Sequence, residues 1–131
     1  MSRGRAIVAG HGDFAGGLVS AVAQISGRAD VLIAMSNRDL SAQDVERAMR
    51  ERATPDVGVI FTDLPAGSCT MAARRLQRER PELVVVTGTN LAALLDFVFS
   101  EAELPTDAAQ HAVDKGRASL SASGGGAARG H

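Results

Sequence analysis

The chain has 131 residues, enough for one ordinary domain that buries a core without staples. Its 14 basic and 15 acidic side chains nearly cancel, its aromatic set is four Phe with no Trp or Tyr, and Cys69 is its one cysteine. These counts argue against a nucleic-acid partner or membrane surface recruited by charge, against base-stacking shelves, and against an intramolecular disulfide or a multi-cysteine metal site.

The first apolar run, residues 6–9, is Val/Ile-rich with little alternation, the pattern of a strand covered on both faces. It opens onto the turn Gly10-His11-Gly12-Asp13 and then onto a helical stretch in which Phe14, Leu18, Ala21, Val22 and Ile25 share one face, with Gly27 placed to stop it. A second run, 31–34, ends in Met35-Ser36-Asn37-Arg38. Ser41 then caps a helix with Asp44 in its first turn and Val45, Ala48 and Met49 on one face. The third run, 57–61, leads into Thr62-Asp63-Leu64-Pro65-Ala66-Gly67-Ser68-Cys69. A helix begins near Gly67-Ser68, carries Met71, Ala72 and Leu76 before the charged stretch Arg74 to Arg80, and is closed by Pro81. The fourth run, 83–86, ends in Thr87-Gly88-Thr89-Asn90 and feeds a helix with Leu91, Leu94, Leu95 and Val98 together. Pro105-Thr106-Asp107 restarts a short helix through Lys115. Residues 117–121 could at most add an edge strand, and 121–131 form a Gly- and Ala-rich tail expected to be disordered.

No segment approaches the roughly 20 apolar residues that cross a bilayer, and no signal peptide is visible, so a cytoplasmic protein without membrane insertion is expected. Strand and helix alternating four times give parallel pairing with right-handed crossovers. The expected fold is α/β, a doubly wound, mainly parallel four-stranded sheet with helices on both faces, in one domain over residues 1–120 and a tail over 121–131.

In such a sheet, chemistry gathers at the carboxyl ends of the strands. If the first strand lies beside the third, His11 and Asp63 share one rim. A carboxylate beside an imidazole fixes one ring nitrogen as donor and leaves the other free as base or nucleophile. The glycines around His11 let a bulky group approach it, and the amides of the helices near Asp13 and Ser68 offer donors to an anion. Such a pair suits phosphoryl transfer through a phosphohistidine. The chain holds neither a Gly-x-x-x-x-Gly-Lys sequence nor a carboxylate cluster for magnesium, so the donor would be another protein, and no cofactor or metal is expected.

Plainer roles stand beside these. Asp63 could cap the helix near Ser68, Ser68 could be an N-cap, and Asp13 caps the first helix. Cys69 packs, Asn90 caps and shapes the rim, and neither His111 nor His131 acts. A rival reading takes Gly10-x-Gly12-x-x-Ala15 as a relaxed dinucleotide fingerprint, with Arg38 facing a 2′-phosphate, in a small Rossmann-like nucleotide-binding protein.

The segment from Gly10 to Leu18 with Ser20-Ala21-Val22 resembles the opening of the mannose/fructose-type enzyme IIA proteins of the bacterial phosphoenolpyruvate-dependent sugar phosphotransferase system (PTS). Phe61-Thr62-Asp63-Leu64-Pro65-Ala66-Gly67-Ser68-Cys69-Thr70-Met71-Ala72-Ala73 is similar to the family's second motif, and Thr87-Gly88-Thr89-Asn90-Leu91 to its third. The resemblance runs from about residue 5 to about residue 117, with the motifs in matching order. It implies a phosphotransferase component in which His11 accepts a phosphoryl group from HPr and passes it to a IIB component for sugar uptake. Asp63 then orients His11, and Gly12, Gly67 and Ser68 bind phosphate or shape the loop. It also implies a homodimer in which a C-terminal antiparallel edge strand crosses to the partner. Where the family often has Gly-Gly before the serine and Pro after it, this chain has Ala66-Gly67 and Cys69. A regulatory module of the same family, uncoupled from transport, would use the same site.

Overall fold

The computed structural model describes residues 3–126. Four strands, β1 (Arg5–Gly10), β2 (Leu32–Ser36), β3 (Val57–Thr62) and β4 (Val84–Val86), form one sheet in the order β2-β1-β3-β4, every pair parallel. Five helices accompany them: α1 (Phe14–Ser26), α2 (Ala42–Arg52), α3 (Ser68–Glu79), α4 (Leu91–Phe99) and α5 (Pro105–Ser119). The connection from β1 leaves toward β2 and the connection from β3 leaves toward β4. The carboxyl ends of β1 and β3 therefore flank a topological switch point, the crevice where open α/β sheets place ligands.

The central strands have no polar face because both faces are covered. Ala6 and Val8 of β1 and Val59 and Phe61 of β3 pack in the layer that holds α1, α4 and α5, where the Phe61 and Phe97 rings meet edge to face at 5.2 Å. Ile7, Ala9, Val57 and Ile60 pack on the opposite side against Val45 and Met49 of α2 and Ala72 and Leu76 of α3. Each large apolar side chain taken fully out of water contributes about 1.5–3 kcal/mol, so these two layers, rather than the loops, fix the strand ends in place. At the chain start, Arg3 ties down α4 by donating to the carbonyls of Phe97 (2.8 Å) and Val98 (3.1 Å).

The capping expectations divide. Ser41 accepts from the Asp44 amide (3.1 Å) and Asn90 from the Ala93 amide (3.1 Å), as N-caps do. Gly27 ends α1, its amide donating to Ala23 O. Asp13 stands at the N-cap position of α1 without capping it, and Gly67, not Ser68, is the N-cap residue of α3.

The last helix departs most from the sequence reading. It does not stop at Lys115 but continues to Ser119, so the segment 117–121 considered for an edge strand is helical over 117–119. Gly116 lies buried inside the helix, at a point of close approach to α4. A Cβ there would stand 2.9 Å from Asn90 Oδ1 and 3.1 Å from Ala93 Cβ, and Asn90 Nδ2 donates to the Gly116 carbonyl at 2.9 Å. Among the described residues no fifth strand pairs with β4. Residues 121–126 carry no helix or strand, and residues 127–131 of the expected tail, with His131, lie outside the described residues.

Candidate functional site

Pairing Ala9 with Thr62 carries the end of β1 alongside the end of β3 and brings His11 to Asp63. One oxygen, Asp63 Oδ2, accepts twice from the same residue: from the His11 backbone amide at 2.9 Å and from the ring Nδ1 at 2.7 Å. Burial pushes the Asp63 carboxyl up, yet the two hydrogen bonds from His11 and the attraction of its ring outweigh that and hold it below its ordinary value. The group is then an ionised acceptor at neutral pH. A carboxylate can only accept, so Nδ1 carries the proton, and in the neutral ring it is Nε2 that holds the lone pair. Asp63 is 10% exposed and His11 53% exposed, which puts the anchoring carboxylate inside and the free nitrogen outside.

Gly67 makes room for the ring. Its φ of 109° suits glycine alone, and a Cβ there would come within 3.3 Å of His11 Cε1. The Leu64-to-Gly67 turn is braced from beneath. Thr70 Oγ1 donates to the Leu64 carbonyl (2.6 Å) and receives the Thr62 hydroxyl at 2.7 Å. The Asp63 Oδ1 atom is buried and has no hydrogen-bond partner among the described residues.

The end of β2 contributes more than the sequence reading gave it. Ser36 Oγ donates to the Gly12 carbonyl (2.8 Å) and accepts from the Arg38 amide (3.0 Å), while the Asn37 amide donates to Gly10 O at 3.1 Å. Asn37 Nδ2 reaches across the rim to Ser68 Oγ at 3.1 Å. Ser36 and Asn37 thus clamp both sides of the His11 turn. The Ser36-to-Arg38 turn was legible as a serine bonding two residues onward, but the Asn37–Ser68 bond joins residues far apart in sequence and needed the fold.

The remaining candidates sort by position. His11, Asp63, Gly12, Gly67 and Ser68 come together at the rim. Asn90 heads α4 but turns its amide toward α5. Asp13 pairs with Arg38 at 3.1 Å. Cys69 is buried beneath the site, where desolvation first and the Asp63 charge second push its thiol up to about 11; it is neutral and packs, as expected. His111 joins α5 to α4 through Asp96 at 2.8 Å. Among the described residues no group of three or more His, Cys, Asp or Glu is placed to hold a metal ion, and no helix is long and apolar enough to cross a membrane.

The sequence matches the family of PTS system fructose IIA components (EIIA-man) over residues 5–114. The chain belongs to this family. As a IIA component it is a phosphotransferase component of the sugar PTS, and its four-stranded parallel sheet with flanking helices is the fold of solved PTS proteins. It is similar to the EIIA component from Streptococcus agalactiae, with TM-score 0.81 and 22% identity over 90% of this chain and 95% of that one. The mannose/sorbose-specific IIA subunit from Enterococcus faecalis superposes with TM-score 0.81 at 19% identity over 95% and 96%. The PTS IIA protein associated with the fucose utilization operon of Streptococcus pneumoniae does so with TM-score 0.78 at 20% identity over 90% and 91%. No curated protein sequence matches the chain.

Proposed function

We propose that this IIA component is a cytoplasmic phosphocarrier that accepts a phosphoryl group from HPr on His11 Nε2 and delivers it to a IIB component. The observation that carries the reading is the His11–Asp63 pair: Nδ1 is pinned to a buried carboxylate while the rest of the ring stands open at the rim. The Nε2 lone pair attacks phosphorus as the nitrogen–phosphorus bond of phospho-HPr breaks and the donor imidazole leaves. The Nδ1 proton stays in its bond to Asp63, whose charge offsets the cationic ring that forms. A nucleophile of IIB then takes the group by the reverse chemistry. Ser68 and the amides opening α3 lie on the same rim, where the helix start favours an anion. An open rim suits a protein donor and acceptor, and sugar specificity then belongs to the partner components.

Phosphoenolpyruvate, enzyme I and HPr are expected to place acid-labile, alkali-stable phosphate on the chain, and His11→Ala to remove it. Label persisting in His11→Ala would overturn the assignment.

A further inference from the structure

Beside the His11 turn lies an arginine that the reaction above does not use. Arg38 follows β2, and its backbone is fixed by the bond from its amide to Ser36 Oγ. Its guanidinium is laid back over Gly12: Nη2 is 3.1 Å from Asp13 Oδ1 and would be 3.3 Å from a Cβ on Gly12. Arg38, Asp13, Gly12 and Ser36 line a shallow groove of about 330 Å³ next to the histidine loop. The Arg38 and Asp13 side chains are 57% and 90% exposed. Their pair is therefore a weak tether that water can replace at little cost.

We infer that Arg38 is the phosphoryl-binding residue of the phosphorylated state, released by Asp13 to close on the group once His11 carries it. The inference rests on the phosphocarrier reading. A phosphoryl group brings up to two negative charges and three acceptor oxygens to the rim, and a guanidinium is the side chain whose planar fork matches them. Asp13 offers one charge shared with water, so the phosphoryl group outcompetes it for the same cation. Before transfer, Asp13 holds the guanidinium over the neighbouring residue and off the His11 ring, which leaves Nε2 open to the donor. After transfer, the new dianion stands on the residue next to Gly12, over which the guanidinium rests. Arg38 thus binds the group in the loaded form, and Asp13, whose side chain does not cap α1, has a use as its rest.

The test loads the full chain with phosphoramidate, whose nitrogen–phosphorus bond breaks with loss of ammonia as the Nε2–phosphorus bond forms, so no partner protein is needed. The phosphorus resonance absent from His11→Ala is then followed against pH by NMR. A cation against the group holds it ionised, so its titration midpoint is expected about one unit lower in the native chain than in Arg38→Gln. Arg38→Lys should recover part of the difference, Asp13→Asn should lower the midpoint further, and about 1 M salt should shrink the gap. A purely structural role for Arg38 would move none of these. Equal midpoints in the native chain and Arg38→Gln would overturn the inference. Absence of any His11-dependent resonance would overturn both it and the phosphoacceptor reading. A chain that HPr fails to label, but whose phosphoramidate-made resonance shifts as expected, would sink the phosphocarrier assignment alone and support the role of Arg38.

Discussion

Asp63 Oδ2 accepts both the backbone amide and the ring Nδ1 of His11, so a single oxygen sets the loop and the tautomer together. Replacing Asp63 by Asn keeps an acceptor of the same size and removes the charge. Phosphoryl transfer to His11 is expected to slow about 10²-fold, because the ring that becomes cationic loses its counter-charge. Stability should fall by about 1–2 kcal/mol with the charge-assisted bonds. Single-turnover labelling from phospho-HPr and urea unfolding measure the two effects; an unchanged transfer rate would leave Asp63 as a loop anchor only.

The same carboxyl predicts a pH dependence. Its folded value is held below the ordinary 3.8, so the folded chain gives up this proton more readily than the unfolded chain. The resulting stability is complete above the ordinary value and is lost as pH falls through the lowered one. The stability gap between the native chain and Asp63→Asn should therefore be flat near neutrality and close in acid. A gap that widened on acidification would contradict the ionised pairing.

Gly67→Ala places a side chain at φ 109° and 3.3 Å from His11 Cε1. The strained backbone is expected to cost about 1–3 kcal/mol, visible as a lower Tm, and the displaced ring to slow labelling of the folded fraction. Labelling at the native rate would show that the ring moves aside freely.

Asn37→Ala removes the donor that holds Ser68 Oγ. The lost bond is expected to cost about 0.5–1.5 kcal/mol. In a double-mutant cycle with Ser68→Ala the second substitution should cost less once the first is made, because both remove one bond. Additive losses would show that the two side chains act separately.

Cys69 is expected to resist thiol reagents at pH 8 while the chain is folded and to react at once in denaturant, since burial holds the thiol neutral up to about 11. Between the ordinary 9.0 and about 11 the folded chain keeps a proton that the unfolded chain sheds, so this contribution to stability declines with rising pH across that window. Fast labelling of the folded chain would disprove the packing role.

The strands were legible because four Val/Ile-rich runs without alternation admit little but a covered parallel sheet, whereas their order was not: β1 beside β3 stood only as a condition, which the β1–β3 register meets. Harder to read were features that local signals misrepresent. Gly116 looks like a helix stop but is a point of close approach to Asn90 and Ala93, so α5 continues to Ser119. Asp13 has the composition of a cap but spends its charge on Arg38, twenty-five positions away in sequence. Asn37 carries no local hint that it faces Ser68, because that contact exists only after β2 and β3 have taken places on either side of β1.

The exposure of the His11 ring sets a clock. A nitrogen that a partner protein can reach from the rim is equally within reach of water, which needs no docking and is present at every instant. On the phosphocarrier reading proposed above, a phosphoryl group held there is perishable cargo. The chain can conserve it only by handing it on faster than solvent removes it, so the rates of its encounters, more than the strength of any one bond, decide how much of the donor's energy arrives.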